Sequence, residues 1–455
     1  MKKYYHFIGI GGIGMSGIAQ LMLKSGFRVS GSDLKENQNT HELKKLGAII
    51  FIGHEAKNIT AQDVVVYSSA ISEDNPELCQ AKALGISLIQ RAQALASLMQ
   101  DKTAITIAGS HGKTTTTSMV SYMLLEAGLR PTVAIGGVLN NINTNACLGS
   151  GDFFVAEADE SDGSFLNYSP QYSIITNIDR EHLDYYHNFE NELEAFRSFI
   201  KRTQKSGCLF VCYDDCHLLK MVSIHKGQHL TFGLNKGADV YATNIIFNGL
   251  SSEFDCYFKN KLISRFHLAL GGKHNISNSL AVIALGLNLG IDLECIRRTL
   301  AGYQGAGRRL QIKFQNDQYL VIDDYAHHPC EIKATLSAID NLKGRRKIVI
   351  FQPHRYSRTQ LLLEDFAQSF QQADYLILTD IYAASEKPIP GVNAQKLLEK
   401  IKVNLKDKEV IYLSKENILN HLLGMLSQND LVITLGAGDI VKISDALAEK
   451  LKQKN

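Results

Sequence analysis

Short apolar runs alternate with amphipathic stretches over the C-terminal third of the chain. In the stretches 362–370 and 418–426, leucine, isoleucine and phenylalanine recur at helical spacing, which predicts helices packed on a sheet. This alternation predicts an α/β fold with a doubly wound parallel sheet, whose ligands bind at the carboxyl ends of the strands. The strands are predicted at 319–323, 347–351, 375–379, 410–413 and 431–435.

A similar alternation opens the chain. A strand at 6–8 leads into Gly9-Ile10-Gly11-Gly12-Ile13-Gly14, and an amphipathic stretch follows at 18–23. A second strand, at 27–30, precedes Asp33, about 20 residues past the glycines, where a dinucleotide-binding fold places its ribose acceptor. Ser68 and Ser69 follow a third strand at 64–67. These features predict a Rossmann-like domain, although the glycines alone fit many nucleotide diphosphates, or merely close packing of a helix on a strand.

The segment 104–126 has the order of a phosphate-binding loop. An apolar strand at 104–108 is followed by Gly109-Ser110-His111-Gly112-Lys113-Thr114-Thr115 and by a helix-compatible stretch at 116–126. Glycines let backbone N–H groups converge on an oxyanion, Lys113 can neutralise terminal phosphates, and Thr114 can offer its hydroxyl to Mg2+. Only Ser110 and His111 separate the two glycines, fewer residues than in the common P-loop. The context predicts a nucleotide phosphate site; the alternative is a glycine-rich turn with an exposed lysine.

Two further strands bring acidic residues toward this loop. Mg2+ prefers oxygen ligands, so carboxylates at strand ends beside a phosphate loop predict a magnesium site, against the alternative of a solvated acidic loop. The run 153–156 precedes Glu157, Asp159, Glu160 and Asp162, and the run 172–177 precedes Asp179, Glu181 and His182. The pattern over 240–270 predicts a small antiparallel sheet, and 271–278 is predicted to open another helix.

Polar residues also follow the predicted strands of the C-terminal third. The loop 324–329 contains His327 and His328, and the loop 352–358 contains His354, Arg355 and Arg358. Because the carboxyl ends of parallel strands share one edge, these loops, with 436–439, are predicted to line a functional site. The alternative is a pair of satisfied core imidazoles and a solvated helix start.

Length, charge and composition restrict the number of domains, the partners and the location that we expect for this protein. A chain of 455 residues suggests roughly three domains of ~150 residues each. The net charge of +2 provides no global field for nucleic acid or an anionic membrane, so we expect neither as a partner. Glycines interrupt the apolar N-terminal region, and no apolar run is long enough to span a membrane. The 8 scattered cysteines fit a reducing compartment, and we expect a cytoplasmic protein.

One group of cysteines offers the donors of a possible metal site. Cys208, Cys212 and Cys216 with His217 bring soft donors together at regular spacing. The run 208–212 also has the pattern of a buried strand that ends at a turn, and this interpretation is favoured over a structural zinc.

Short stretches throughout the chain, taken together, resemble the Mur ligase family. They are GIGGIGMSGIA, GSHGKTTT, AEADESDGSF, DREHLD, GKHNISN, GAGRRL, DDYAHHP, FQPHRYSRT and LGAGDI. The resemblance implies a Rossmann-like domain at 1–102 for the UDP end of a substrate, with no hydride transfer. It further implies a central ATP-binding domain at 103–306 and a doubly wound Rossmann-like domain at 307–455 that closes on ATP and an amino acid.

The resemblance also implies the reaction. The family uses ATP and Mg2+ to form an amide through an acyl phosphate. The motif sequences of this chain are most similar to those of the branch that joins L-alanine to the lactyl carboxylate of UDP-N-acetylmuramate. Related ligases carry a carbamylated lysine for which the stretch 194–197 offers no counterpart, as in the L-alanine-adding branch. The alternatives are a murein tripeptide ligase, a nicotinamide-dependent oxidoreductase and a nucleotide-sensing regulator. We expect a monomer or a weak homodimer.

Residue roles follow by resemblance. Lys113, His182, Arg355 and Arg358 match catalytic positions, and Thr114, Glu157 and His182 match metal ligands, with Glu160 as the alternative to Glu157. ATP-binding positions are matched by Gly109, Ser110, His111, Gly112, Lys113, Thr114, Thr115, His274, Asn275 and Arg308 (or Arg309). Positions for the UDP-linked substrate are matched by Gly11, Gly12, Ile13, Gly14, Asp33, Ser68, Ser69, His327 and His354.

Overall fold

The computed structural model describes residues 2–68, 70–384 and 386–454. Contacts between Cα atoms divide the chain into two compact units. The first contains Met1–Asn244, Phe254–Phe266 and Ser277–Gln304, and the second contains Ile245–Glu253, His267–Ile276 and Gly305–Asn455. None of the helices in these described ranges is long and apolar enough to cross a membrane.

The first unit begins with a five-stranded parallel sheet in the order β3-β2-β1-β4-β5. Its strands are β1 (Tyr4–Ile8), β2 (Arg28–Asp33), β3 (Ile49–Ile52), β4 (Val64–Tyr67) and β5 (Ser87–Gln90), and its helices are α1 (Ile13–Lys24), α2 (Gln38–Lys45), α3 (Pro76–Ala83) and α4 (Arg91–Met99), with a 3-10 turn at Ala56–Asn58. β1 is the central strand, between β2 and β4, and its apolar run is buried. The Rossmann-like prediction is confirmed.

The next sheet along the chain has ten strands in the order β15-β14-β13-β12-β11-β10-β6-β9-β7-β8. Its strands are β6 (Thr103–Ala108), β7 (Thr132–Leu139), β8 (Thr144–Cys147), β9 (Phe153–Glu157), β10 (Tyr172–Ile175), β11 (Cys208–Cys212), β12 (Gln228–Gly233), β13 (Val240–Asn248), β14 (Ser251–Phe258) and β15 (Lys261–Leu268). The accompanying helices are α5 (Lys113–Glu126), α6 (Leu183–Tyr186), α7 (Phe189–Arg202), α8 (Cys216–Met221), α9 (Lys273–Asn288) and α10 (Leu293–Gly302), with 3-10 turns at Ser164–Asn167 and Val222–Ile224. β6 lies between β10 and β9 and is parallel to both.

That register places three loops at one edge of the sheet. The loops after β6, β9 and β10 all leave from the carboxyl ends of adjacent parallel strands, as the sequence predicted. β13, β14 and β15 are joined by two-residue connections, which are typical of antiparallel neighbours. These strands were predicted as a small antiparallel sheet; in the structure they extend the large sheet, because β13 pairs in parallel with β12.

The second unit holds a six-stranded sheet in the order β16-β17-β21-β18-β19-β20. Its strands are β16 (Gln311–Gln315), β17 (Tyr319–Asp324), β18 (Arg346–Phe351), β19 (Tyr375–Leu378), β20 (Glu409–Tyr412) and β21 (Asp430–Leu435). Its helices are α11 (Pro329–Ile339), α12 (Tyr356–Leu361), α13 (Leu363–Ala367), α14 (Ala394–Asn404), α15 (Lys415–Met425) and α16 (Val441–Lys454). β16 is antiparallel to β17, and the other pairs are parallel.

Alternate strand residues of this sheet enter two separate cores. Ile322 packs with residues of α11, α13 and α14, whereas its neighbour Val321 packs with residues of α15 and α16. The doubly wound prediction is therefore confirmed. One detail differs: the stripe at 362–370 was predicted as helical, but only Leu363–Ala367 forms a helix, because the chain leaves helical geometry at Leu362, where φ is −107°, and at Gln368, where φ is −104°.

Candidate active site

The loop between β6 and α5 can be formed only with glycine at its first position. Gly109 has φ +125°, and a Cβ atom there would lie 2.2 Å from Thr176 Oγ1 and 2.9 Å from the carbonyl oxygen of Asn177. Gly112 has φ +84° at the start of α5, and its Cβ atom would lie 2.6 Å from Asn278 Oδ1. Both glycines therefore allow a backbone conformation with positive φ and a close approach of the loop to neighbouring residues.

The end of β10 holds this loop in shape. The backbone N–H of Ser110 donates to the carbonyl oxygen of Asn177 at 3.0 Å, and the N–H of His111 donates to Asn177 Oδ1 at 2.9 Å. Thr176 Oγ1 donates to the carbonyl oxygen of His111 at 2.6 Å. The sequence placed Thr176 and Asn177 in a strand but gave no sign of this role, which depends on β10 being the neighbour of β6.

The loop leads directly into a helix N-terminus. α5 begins at Lys113 with Gly112 as its N-cap, and no side chain of the described residues caps it. Thr114 is half-buried and Thr115 is buried in its first turn. The first N–H groups of a helix lack partners within the helix and carry a partial positive charge, so this end suits a phosphate.

Lys113 lies between the loop and the acidic residues. Its Nζ donates to Glu160 Oε1 and to the carbonyl oxygen of Gly109, both at 2.6 Å. Burial alone would lower the pKa of Lys113, but the Glu160 and Asp159 carboxylates outweigh burial and raise the pKa above its ordinary value. The lysine is therefore charged, and it is not the exposed side chain of the alternative interpretation.

Glu160, Glu181 and His182 form a compact group beside Lys113. His182 Nε2 lies 3.4 Å from Glu181 Oε2 and 3.6 Å from Glu160 Oε1. Burial lowers the pKa of His182, but hydrogen bonds to the two carboxylates raise it overall to about 9. One potential ligand atom from each residue lies within 4.8 Å of the others. Carboxylates and an imidazole at this spacing can hold a divalent cation.

A buried oxygen at this group favours a cation there. Glu160 is fully buried, and its Oε2 atom has no hydrogen-bond partner in the described part of the chain. An unpaired buried carboxylate oxygen is costly, and a cation bound there would satisfy it.

Glu157 lies apart from these contacts, at the end of β9. Its Oε1 accepts a hydrogen bond from the N–H of Gly136 at 2.9 Å, on the side of β7. The structure thus brings Glu160 and Glu181 to His182, and it places Glu157 next to the neighbouring strand.

The N-terminal glycine loop is organised around Gly11. Its N–H donates to Asp33 Oδ2 at 2.8 Å, and its carbonyl oxygen accepts from Asn39 Nδ2 at 2.8 Å. Gly12 is the N-cap of α1, and Ile13 is 53% exposed. Ser68 lies just past β4, whereas Ser69 lies outside the described residues. Asp33 therefore lies beside the glycines, as the sequence predicted.

Arg91, at the carboxyl end of β5, connects this loop to the acidic residues. A Cβ atom at Gly14 would lie 3.0 Å from Arg91 Nη1, and Arg91 Nη2 lies 3.2 Å from Asp159 Oδ2. Burial opposes the charge of Arg91, but Asp159 raises its pKa overall. Sequence reasoning missed this residue, although its position directly after a strand was an available signal.

In the second unit, two predicted histidines meet. The His327 and His354 rings lie with centroids 5.5 Å apart, and His354 stacks on Tyr382 at 5.6 Å. Arg358 Nη1 lies 3.3 Å from His354 Nδ1. Burial lowers the pKa of His354 to about 3, with His327 and Arg358 adding to the effect, so this imidazole is neutral.

The remaining predicted residues of the second unit are held by its own loops. Arg355 has φ +70°, and its N–H donates to the carbonyl oxygen of Tyr382 at 2.8 Å. Arg308 Nε donates to Asp323 Oδ2 at 2.9 Å, and its Nη1 donates to the carbonyl oxygen of Gly438 at 3.0 Å. His274 and Asn275 lie in the first turn of α9, where Asn275 Nδ2 donates to the carbonyl oxygen of Gly271 at 2.8 Å.

Family models match the chain in three consecutive segments. Residues 4–103 match "Mur ligase family, catalytic domain", residues 107–286 match "Mur ligase middle domain", and residues 308–438 match "Mur ligase, glutamate ligase domain".

Curated relatives and solved structures are similar over the whole length. The chain is 47% identical over 448 residues to the UDP-N-acetylmuramate–L-alanine ligase of Geotalea uraniireducens, with 98% of each chain covered. It is 46% identical over 455 residues to the enzyme of that name from Aquifex aeolicus, covering 100% of this chain and 98% of the relative. The UDP-N-acetylmuramate-alanine ligase structure from Thermotoga maritima matches with a TM-score of 0.85 and 30% identity over 100% of both chains. A murein peptide ligase from Psychrobacter arcticus matches with a TM-score of 0.71 and 24% identity over 99% of this chain and 98% of that one, which shows the fold alone.

The geometry of Gly109 gives a prediction about the phosphate loop. Gly109→Ala places a methyl group against Thr176 and Asn177, so the loop must move. We expect ATP affinity, measured by titration calorimetry, to fall at least ~10-fold, because a residue held in a strained backbone conformation costs about 1–3 kcal/mol. Gly128→Ala at the other end of α5 is the control, because Gly128 also has positive φ but no atom within 4 Å of the added Cβ. Equal ATP affinity in both variants would contradict the role of Gly109.

Proposed function

The chain belongs to the Mur ligase family, and from this premise we infer that it joins L-alanine to UDP-N-acetylmuramate in an ATP-dependent reaction. Relatives that carry the name of this ligase align with it from end to end. The structural observation that carries the proposal is the glycine loop that places Lys113 between a helix N-terminus and buried carboxylates.

The chemistry needs a site that gathers negative charge. The lactyl carboxylate of UDP-N-acetylmuramate attacks the γ-phosphorus of ATP, the bond to the β-phosphate oxygen breaks, and an acyl phosphate and ADP form. The amine of L-alanine then attacks the acyl carbon, the C–O bond to phosphate breaks, and the amine proton is lost. The products are the amide, ADP and phosphate.

The phosphate loop supports the first step by position and charge. We propose that the triphosphate lies along 109–115, where it meets the N–H groups at the start of α5 and the charged Lys113. The loop that leads to these donors is held at His111 by Thr176 and Asn177 before substrate arrives, so the donors need little reorganisation when charge develops in the transition state.

The acidic residues fit a Mg2+ site. Thr114 and Glu157, with Glu160 as the alternative carboxylate, are proposed to hold an ion at the phosphates, and His182 is proposed to hold a second. The unpartnered Oε2 of Glu160 supports a cation in this region. When bound, Mg2+ neutralises phosphate charge and polarises the transferring group. Lys113 and the loop orient the triphosphate beside these ligands.

The N-terminal sheet is proposed to hold the UDP end of the substrate. Gly11, Gly12, Ile13 and Gly14 form the turn into α1 beside Asp33. The N–H groups of Gly11 and Gly12 are bound within the turn, so the first helical N–H groups, at Ile13 and Gly14, are the ones proposed to face the diphosphate. Ser68 and Ser69 are proposed to complete this site. A nicotinamide-dependent oxidoreductase would use the same glycines, but this function would not account for the phosphate loop that carries Lys113.

Residues of the second unit are proposed to complete binding. A neutral His354 can orient Arg358, and with His327 and Arg355 it offers groups for the muramoyl carboxylate or the carboxylate of L-alanine. His274 and Asn275 are proposed to contact the adenine of ATP, and Arg308 is proposed to contact ATP.

We propose that these roles are divided among three domains at 1–102, 103–306 and 307–455. We also propose that the protein is a monomer or a weak homodimer, and that it lies in the cytoplasm, where ATP and UDP-sugars occur.

The amine distinguishes this proposal from a murein tripeptide ligase. The protein is incubated with ATP, Mg2+ and UDP-N-acetylmuramate, and phosphate release is measured with L-alanine, glycine, D-alanine or the murein tripeptide. We expect L-alanine to give the highest kcat/KM. Release with the tripeptide but not with L-alanine would assign the chain to the other ligase, and NADH binding without any ATP requirement would favour an oxidoreductase.

Removing the charge of Lys113 should stop turnover and preserve the fold. Lys113→Met keeps a side chain of similar length, and His182 remains 3.6 Å from Glu160, so we expect a folded protein. We expect kcat to fall ~100-fold or more, as when a transition-state donor is deleted. Circular dichroism and the melting temperature check the fold, and the exposed Lys57→Met is the charge-matched control. Near-normal turnover of Lys113→Met would exclude the lysine from the mechanism.

The choice between Glu157 and Glu160 can be made by titrating Mg2+. If Glu157 is a ligand, Glu157→Gln should raise the Mg2+ concentration for half-maximal turnover ~10-fold or more. Glu160→Gln is measured in the same way. An unchanged titration curve for Glu157→Gln with a shifted curve for Glu160→Gln would move the metal role to Glu160.

A further inference from the structure

Helix α7 carries an acidic residue on its buried face. The buried residues of this helix are Glu192, Leu193, Ala195, Phe196, Phe199 and Ile200. Glu192 is 0% exposed, whereas the side chains of Glu190 and Glu194 on the same helix are 70% and 57% exposed and lie beside Arg197. A charged residue is rarely fully buried without a partner, so the position of Glu192 calls for a physical reason.

The Glu192 carboxyl is not satisfied by the residues around it. Neither of its oxygens has a hydrogen-bond partner of ordinary geometry among the described residues. Burial raises the pKa of Glu192 to about 8, and the nearby His182 and the backbone N–H of Glu181 counteract only part of this rise. Two unsatisfied carboxyl oxygens in a fully buried position destabilise the fold.

The groups that act on Glu192 belong to the loops of the active site. Its electrostatic neighbours are His182, Glu160 and Glu181, the same three residues whose ligand atoms lie within 4.8 Å of one another. Glu160 Oε2 is likewise buried without a partner among the described residues. The carboxyl of Glu192 is not one of the three ligand groups, but it lies within electrostatic range of all of them and has two oxygens without an ordinary hydrogen-bond partner among the described residues.

Aromatic packing fixes α7 against the segment that follows Glu160. The Phe165 ring, in the 3-10 turn Ser164–Asn167, stacks on Phe199 at 4.8 Å and meets Phe196 edge-on at 5.3 Å. α6 connects His182 to α7 and packs against it. Glu192 therefore cannot turn away to solvent without breaking this packing.

We propose that Glu192 is a further acidic group of the divalent-cation site formed by Glu160, Glu181 and His182. It acts as a positioning residue that supplies negative charge behind these ligands, and the bound cation compensates its burial. This inference rests on the proposed function for the identity of the surrounding site, but binding of a cation can be measured without ATP, UDP-sugar or turnover.

The first experiment measures Mn2+ binding alone, by electron paramagnetic resonance of the free ion, to the full chain after treatment with EDTA and buffer exchange. We expect Glu192→Gln to weaken Mn2+ binding ~10-fold or more, as when groups that support metal ligands are lost. Glu194→Gln removes a carboxylate from the exposed face of the same helix and should change the affinity less than ~2-fold. Equal affinity of Glu192→Gln and the wild type, or no Mn2+ binding by the wild type, would overturn the proposal.

The second experiment separates this role from a structural one. In EDTA, Glu192→Leu removes unsatisfied polar atoms, so its melting temperature should equal or exceed that of the wild type. With saturating Mn2+, the wild type should gain melting temperature because the ion binds the folded state, and Glu192→Leu should gain less. A lower melting temperature of Glu192→Leu in EDTA, with an unchanged Mn2+ response, would make Glu192 a structural residue. A wild-type chain that binds Mn2+ but has no ligase activity would instead count against the proposed reaction and leave the role of Glu192 in cation binding intact.

Discussion

The buried ion pair between Lys113 and Glu160 is the contact on which the site depends. It joins the phosphate loop after β6 to the acidic loop after β9, with Nζ 2.6 Å from Oε1. A buried pair of this kind is worth little to net stability, because desolvation offsets much of the attraction. Its effect is on position: Lys113 is held charged and pointed along the loop before any substrate binds. A phosphate that enters can then exchange for part of the carboxylate contact, so the positive charge does not have to be assembled during the reaction.

Asp159 extends this arrangement to the N-terminal sheet. Burial would raise its pKa, but Lys113 and Arg91 hold the pKa below its ordinary value. The same carboxylate thus faces a lysine of the phosphate loop and an arginine that covers Gly14. The two glycine loops are therefore not electrostatically independent: a change of charge at either loop acts on Asp159. Because both loops lie in the first unit, this link needs no movement of the second unit.

The sequence was sufficient to predict those features of the fold that depend on short, local segments. Fully buried parallel strands appear as apolar runs, so β6, β9 and β10 could be predicted, and parallel order then required their carboxyl-end residues to share an edge. Gly109 and Gly112 could be identified because positive φ leaves few alternatives. The family resemblance supplied the individual roles, which remain predictions.

The features that the sequence did not reveal depend on contacts between distant segments. Arg91 meets Asp159 across 68 residues, and Glu192 occupies a position where helical periodicity alone predicts an apolar residue. The pairing of Glu181 with Glu160 around His182 follows from the path of the chain after β10, where His182 has φ +54°. The break at Leu362 similarly reflects local backbone geometry that an apolar stripe does not encode.

Charge is distributed unevenly at the sites although the whole chain carries only +2. The loops of the first unit place Asp159, Glu160 and Glu181 beside a site suited to phosphate, and the proposed reaction brings in a triphosphate and a carboxylate as well. Lys113, Arg91 and a protonated His182 can offset the three carboxylates, but they leave the charge of the substrates unbalanced in a poorly solvated region. The acidic cluster is therefore compatible with anionic substrates only if divalent cations bind with them. In the second unit, by contrast, His354 beside Arg358 is neutral, so the positive charge of the arginine stays available to an anion. If the proposed reaction is correct, the first unit therefore depends on bound cations, whereas the second unit supplies positive charge from its own arginines.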